Sequence, residues 1–142
     1  MRHRRRFTGS CKCLQMGTAN TELSSGRDDL LAGCHAIITG ASSGLGAEFA
    51  RQLAPRAASL VLAARDGELL EAAASRLREA RPALCVVVSA GDLATAEGRA
   101  SLWNTVDNAE IDPTVLFNNA GLGDYGEFVG ADDARLQAQI EL

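Results

Sequence analysis

Apolar residues along this chain fall into short uncharged runs that alternate with longer stretches of helical period. Ala36-Ile37-Ile38-Thr39 is one such run, and Leu45, Phe49 and Leu53 then recur at i, i+4 and i+8. A buried strand therefore passes into a helix with one apolar stripe, which Pro55 closes. Ser59-Leu60-Val61-Leu62-Ala63 is apolar on both faces, as a central parallel strand requires. Asp66 is placed to cap the next helix, in which Leu70, Ala73, Ala74 and Leu77 keep helical spacing within an alanine- and glutamate-rich segment. Beyond Pro82, Leu84-Cys85-Val86-Val87-Val88 is β-branched and uncharged, the clearest strand of all. Thr95 to Val106 predicts a third helix, Pro113 to Phe117 a fourth strand, and Leu136 and Ile140 give helical character to the segment from Ala131 to Leu142.

The order β-α-β-α-β-α-β implies an α/β fold with a parallel sheet, right-handed crossovers and helices on both faces. That is half of a doubly wound architecture. A length of 142 residues suits one modest core, and the sequence ends inside its last helical segment without a terminating signal. Residues 1–32 are polar and aperiodic and predict a flexible basic arm or linker ahead of an ordered domain at 33–142.

Charge sharpens that division. Arg2, Arg4, Arg5, Arg6 and Lys12 place five positive charges in the first twelve residues, so the overall −4 leaves −9 for the remainder. Three readings of the arm stand side by side: a solvated tail, an anion-binding segment, and an arginine-bearing transit peptide. A start at Met16 would remove it. The acidic body argues against nucleic acid as a partner, and no apolar run approaches the roughly 20 residues of a membrane span. Cys34 and Cys85 lie in strand-like runs, Cys11 and Cys13 lie in the arm, and there is no secretory apolar segment, which predicts reduced thiols and a cytoplasmic location. His3 and His35 have no ligand-like spacing to these cysteines, so no metal site is expected.

Chemistry concentrates directly behind the first strand, in Thr39-Gly40-Ala41-Ser42-Ser43-Gly44-Leu45-Gly46. Glycines at 40, 44 and 46 let the chain leave a strand, fold back tightly and start a helix, with main chain exposed for approach to a pyrophosphate. The helix then offers unpaired N–H groups and its positive dipole end to the phosphates. A strand before and a helix after are the context that makes the glycine pattern informative.

With those residues in place, the chain resembles the short-chain dehydrogenase/reductase family over about Gly33 to Leu142. Four signatures fall in the family's order, each at the carboxyl end of a predicted strand: the turn Thr39 to Gly46, Ala64-Arg65, Asp92-Leu93, and Asn118-Asn119-Ala120-Gly121. The resemblance implies a Rossmann-like NAD(P)-binding domain. It implies cofactor contacts from Gly40, Ser42, Ser43, Gly44, Leu45 and Gly46, with Thr39 bracing the turn. Asp92 with Leu93 would meet the adenine, Asn118 would tie strands together, and Asn119, Ala120 and Gly121 would run along the cofactor ribose. Arg65 sits where a 2′-phosphate would lie and points to NADP(H) over NAD(H), while Asp66 could instead serve the ribose hydroxyls of NAD(H).

The departure from the family matters equally. Hydride transfer in these enzymes uses a Ser and a Tyr-x-x-x-Lys pair. The sole lysine here is Lys12, and the sole tyrosine, Tyr125, is followed four residues on by Val129, so no catalytic residue is assigned. The expectation is an incomplete domain of about four strands whose catalytic half is absent. In its complete form it would act on a small carbonyl or alcohol substrate, as a homo-oligomer. The alternative is a catalytically silent dinucleotide-binding or partner-binding module.

Overall fold

A computed structural model describes residues 29–123, 129–130 and 132–141. The arginine-rich arm with His3, Cys11, Lys12, Cys13 and Met16, and the tyrosine at Tyr125, lie outside the described residues.

Four strands form one sheet: β1 (His35–Thr39), β2 (Ser59–Ala64), β3 (Cys85–Ala90) and β4 (Val115–Phe117). Their spatial order is β3-β2-β1-β4 and every pairing is parallel. Ile37 lies level with Val61 on one side and Leu116 on the other, so the apolar runs align laterally. The helices α1 (Gly44–Leu53), α2 (Gly67–Ala80), α3 (Ala96–Asn108) and α4 (Asp133–Glu141) alternate with them. This is the Rossmann-like doubly wound sheet that the alternation predicts.

Strand side chains alternate between two cores. Ala36, Ile38, Leu60, Leu62 and Val86 pack against Ala50 and Leu53 of α1 and Leu70, Ala74 and Leu77 of α2. Ile37, Val61 and Ala63 pack on the opposite face against Leu102 and Val106 of α3. Ile38, Leu60, Leu62 and Leu70 are fully buried, and each such side chain is worth roughly 1.5–3 kcal/mol relative to an exposed position. Burial also pushes the Cys34 thiol above its ordinary range, which makes it a packing residue rather than a nucleophile.

Three expectations change on contact with the structure. The apolar stripe of α1 is not the face that enters the core: Leu45 is 70% exposed and Phe49 is 37% exposed, whereas Gly46, Ala50 and Leu53 are buried. Small residues at 46 and 50 let α1 lie close to the sheet, and Phe49 is turned aside to meet the Phe117 ring at a centroid distance of 5.5 Å. Strand boundaries also shift, because backbone pairing rather than apolarity defines them: β3 starts at Cys85 and runs on to Ala90, while Pro113 and Thr114 stand outside β4. Finally, residues assigned to the arm pack on the body. A turn carries Ala32 N–H to the Asp29 carbonyl, Leu31 rests on the core, and Asp29 faces Arg56 at 3.7 Å.

Candidate functional site

The carboxyl ends of all four strands converge on one edge, and the loop leaving β1 dominates it. Gly40 (φ +66°) and Gly44 (φ +56°) hold left-handed conformations that a side chain resists. Gly46 is needed for proximity: a Cβ there would stand 2.2 Å from the Gly40 carbonyl oxygen. The turn is tied to β2 by the Ala41 N–H, which donates to the Ala63 carbonyl. Ser43 occupies the N-cap of α1 in extended backbone and its hydroxyl makes no capping bond. The first N–H groups of a helix have no intrahelical acceptor, so the turn presents them outward together with the Ser43 hydroxyl.

Behind the turn, Thr39 joins β1 to β4. Its Oγ1 accepts from the backbone N–H groups of Asn119 (2.9 Å) and Ala120 (2.8 Å) and lies 3.3 Å from the Phe117 carbonyl, to which it donates. The Asn119 side chain completes the junction, its Nδ2 donating to the Thr39 carbonyl at 3.0 Å. Both asparagines thus meet Thr39. Asn118, expected to tie the strands, stands exposed with its Oδ1 3.5 Å from Thr39 Oγ1 and lines a separate groove between β4 and α3, whereas Asn119, expected along the cofactor ribose, is half-buried and makes the shorter bonds to β1. Two adjacent asparagines on an extended chain point to opposite faces, and which one turns inward depends on the strand register.

At the end of β2, Asp66 is held by its own helix: its carboxylate accepts from the Leu69 N–H at 3.0 Å and caps α2. Arg65 is exposed and makes no ion pair or hydrogen bond among the described residues. At the end of β3 the chain turns sharply. Gly91 N–H donates to the Ala64 carbonyl, and the Asp92 carboxylate accepts from the Ala94 N–H at 3.1 Å.

These segments enclose a cleft of about 480 Å³. Of the residues singled out in the sequence, Gly40, Ser42, Ser43, Arg65, Asp92, Leu93, Asn119, Ala120 and Gly121 line it. Gly44 and Leu45 stand exposed at the start of α1, Gly46 is buried beneath the turn, and Asn118 lies outside the cleft. Sequence reading missed Gly98. A Cβ at that position would fall 1.9 Å from the Asp92 carbonyl oxygen, so this glycine is what lets α3 press against the Asp92 loop. The signal was present in Thr95-Ala96-Glu97-Gly98, where a glycine in the first turn of a predicted helix has no propensity reason to be there.

The donor set suits an elongated anionic ligand. Ser42 and Ser43 line one end of the cleft next to the start of α1, and Arg65, whose guanidinium has no partner among the described residues, lines it as well. The Asp92 side-chain carboxylate adds an acceptor along one wall. Among the described residues no three His, Cys, Asp or Glu side chains gather as a metal ion would require, and no helix is long and apolar enough to cross a membrane.

Comparison with known proteins agrees with this geometry. A profile described as short chain dehydrogenase matches residues 34–142. A very-long-chain 3-oxoacyl-CoA reductase of Mycosarcoma maydis is 33% identical over 107 residues, covering 74% of this chain and 30% of its own length. Dehydrogenase/reductase SDR family member 13 of Homo sapiens is 38% identical over 96 residues, 68% of this chain and 26% of its own length. Among solved structures, L-sorbose reductase from Gluconobacter frateurii, complexed with NADPH and L-sorbose, superposes with a TM-score of 0.72 at 36% identity, over 78% of this chain and 42% of that one. The short-chain dehydrogenase from Sphingobium yanoikuyae, in complex with NADPH, gives 0.65 at 36% identity, over 76% and 42%. The chain thus spans less than half the length of these relatives.

Proposed function

Because the chain belongs to the short chain dehydrogenase family, we propose that it forms the NADP(H)-binding part of an oxidoreductase that moves hydride between the nicotinamide and a carbonyl or alcohol substrate. The observation that carries the cofactor choice is the pair Arg65 and Asp66. The Asp66 carboxylate beside the expected ribose position is engaged in capping α2, while the guanidinium next to it has no partner among the described residues. A dinucleotide whose ribose bears a 2′-phosphate supplies that partner. The relatives of solved structure that bind NADPH support the same reading.

When bound, the nicotinamide supplies or accepts the hydride. The residues of this chain hold and orient it. The Gly40–Gly46 turn and the start of α1 receive the pyrophosphate, where open N–H groups and the helix dipole favour negative charge. Asp92 and Leu93 form the wall for the adenine, and Asn119, Ala120 and Gly121 the floor for the ribose on the far side. Thr39 and Asn119 fix the separation of these two halves by bonding β1 to β4. No residue of the chain is assigned the proton transfer that accompanies hydride transfer, since Lys12 is the only lysine and Tyr125 has Val129 four residues on.

Titration of the purified chain with NADPH and NADH, followed by nicotinamide fluorescence, tests this reading. Arg65→Glu replaces a phosphate partner with a like charge, and at this exposed site the expected loss is about tenfold or more for NADPH, with little change for NADH. Equal losses for both cofactors would overturn the assignment of Arg65. Absence of NADPH binding to the unaltered chain would overturn the cofactor site itself.

A further inference from the structure

The Asp92 loop is bonded to α3 and to its N-cap residue, Thr95. Thr95 Oγ1 donates to the Asp92 carbonyl at 2.8 Å and accepts from the Gly98 N–H at 2.9 Å, while Gly98 leaves room for that carbonyl. One turn further on, Arg99 reaches back. Its Nη1 donates to the carbonyls of both Leu93 (2.8 Å) and Ala94 (2.8 Å), two acceptors that no backbone N–H among the described residues satisfies. Both residues line the cleft, and Leu93 also lines the separate groove of about 460 Å³ between β4 and α3, which Arg99 borders. The guanidinium therefore sits behind the wall, on the side away from any ligand in the cleft, and clamps two consecutive peptide units to α3.

We propose that Arg99 is a positioning residue for the adenine end of the dinucleotide: by holding the Leu93 and Ala94 carbonyls it sets the Asp92 backbone and carboxylate where they read the exocyclic amino group. The inference rests on the cofactor reading above. Without Arg99 the peptide unit bearing the Ala94 carbonyl keeps a single tie, from the Thr95 N–H to the Asp92 carbonyl at 3.1 Å, and the unit bearing the Leu93 carbonyl keeps the Ala94 N–H bond to the Asp92 carboxylate, which among the described residues is that carboxylate's one anchor, so loosening of these units would carry Asp92 with them. A charged donor is the group suited to this task, because one nitrogen can serve two carbonyls at once and bonds of this kind are about twice as strong as neutral ones.

The test compares NADPH with reduced nicotinamide hypoxanthine dinucleotide phosphate, in which a carbonyl oxygen replaces the adenine amino group and N1 carries a proton, on the purified 142-residue chain. The unaltered chain should prefer NADPH by about fivefold or more, the effect of one hydrogen bond of about 1 kcal/mol. Arg99→Met should bring that preference close to one while binding of the hypoxanthine cofactor changes little. Arg99→Lys, which keeps a charged donor of similar reach, should restore part of the preference and serves as the test should Arg99→Met lose its fold by circular dichroism. A preference retained in both variants, or an equal weakening of both cofactors, would overturn the role of Arg99. An unaltered chain that binds the two cofactors equally would overturn it as well, whereas failure to bind either would refute the cofactor site.

Discussion

Single residues at this site do separable work, and the glycines show it. Gly46 is demanded by packing, since any side chain meets the Gly40 carbonyl at 2.2 Å. Gly46→Ala should cost about 1–3 kcal/mol of stability, the usual penalty of overpacking, and should lower the melting temperature before any ligand is added. Gly44 has open space around it and a positive φ instead. Gly44→Val should fold at a cost of about 1–2 kcal/mol for its left-handed backbone, yet weaken NADPH binding by roughly tenfold or more, because the side chain occupies the approach to the turn. Thermal melts alongside NADPH titrations distinguish the two, and a Gly44→Val chain that binds normally would leave the turn with a structural role only. Both glycines were legible in the sequence as members of one motif. Their different duties were not, because one depends on a carbonyl six residues back and the other on an absence of neighbours.

Elements behave as the sequence pattern predicts where their signals are local. Asp66, expected by residue type to cap a helix, does cap α2 by accepting from the Leu69 N–H, and Thr95, the first residue of the third predicted helix, caps α3 by accepting from the Gly98 N–H. Asp66→Ala should therefore cost about 1 kcal/mol, read as a lower melting temperature. It should also leave the NADPH preference intact, since the group proposed to select the cofactor is Arg65. A switch toward NADH binding on loss of Asp66 would contradict that division of labour. The orientation of α1 was the element that periodicity misjudged. Leu45, Phe49 and Leu53 and the true core face of Gly46, Ala50 and Leu53 are neighbouring stripes on the same cylinder, and hydrophobicity favours the bulkier one. Close packing on β1 favours the smaller.

For the molecule as a whole, β4 is the consequential element. It stands at the margin of the described sheet, only three residues long, with Leu116 61% exposed beside Trp103 at 55%. An edge strand with apolar side chains and open N–H and C=O groups recruits further strands. The 142-residue chain should accordingly self-associate with rising concentration in size-exclusion chromatography, and Leu116→Lys should shift it toward monomer without altering NADPH affinity. The same preparation should turn over none of a panel of carbonyl substrates with NADPH, because positioning a cofactor does not supply a proton donor. A monomeric, active chain would refute both expectations.

Alternating apolar runs and helical periods were enough to establish a parallel α/β sheet, because both signals are repeated locally along the chain and each strand–helix unit has few ways to pack. The glycine turn, Arg65 and the Asp92 loop were legible for the same reason: each follows directly on a strand, at the sheet edge where ligands gather. Only the tertiary structure decided how the two asparagines share the junction of β1 with β4, which face of α1 is buried, and that Gly98 and Arg99 stand behind Asp92. Those outcomes depend on register and on contacts between segments distant in the chain, where the free energy of one arrangement over another comes from neighbours that no local pattern names.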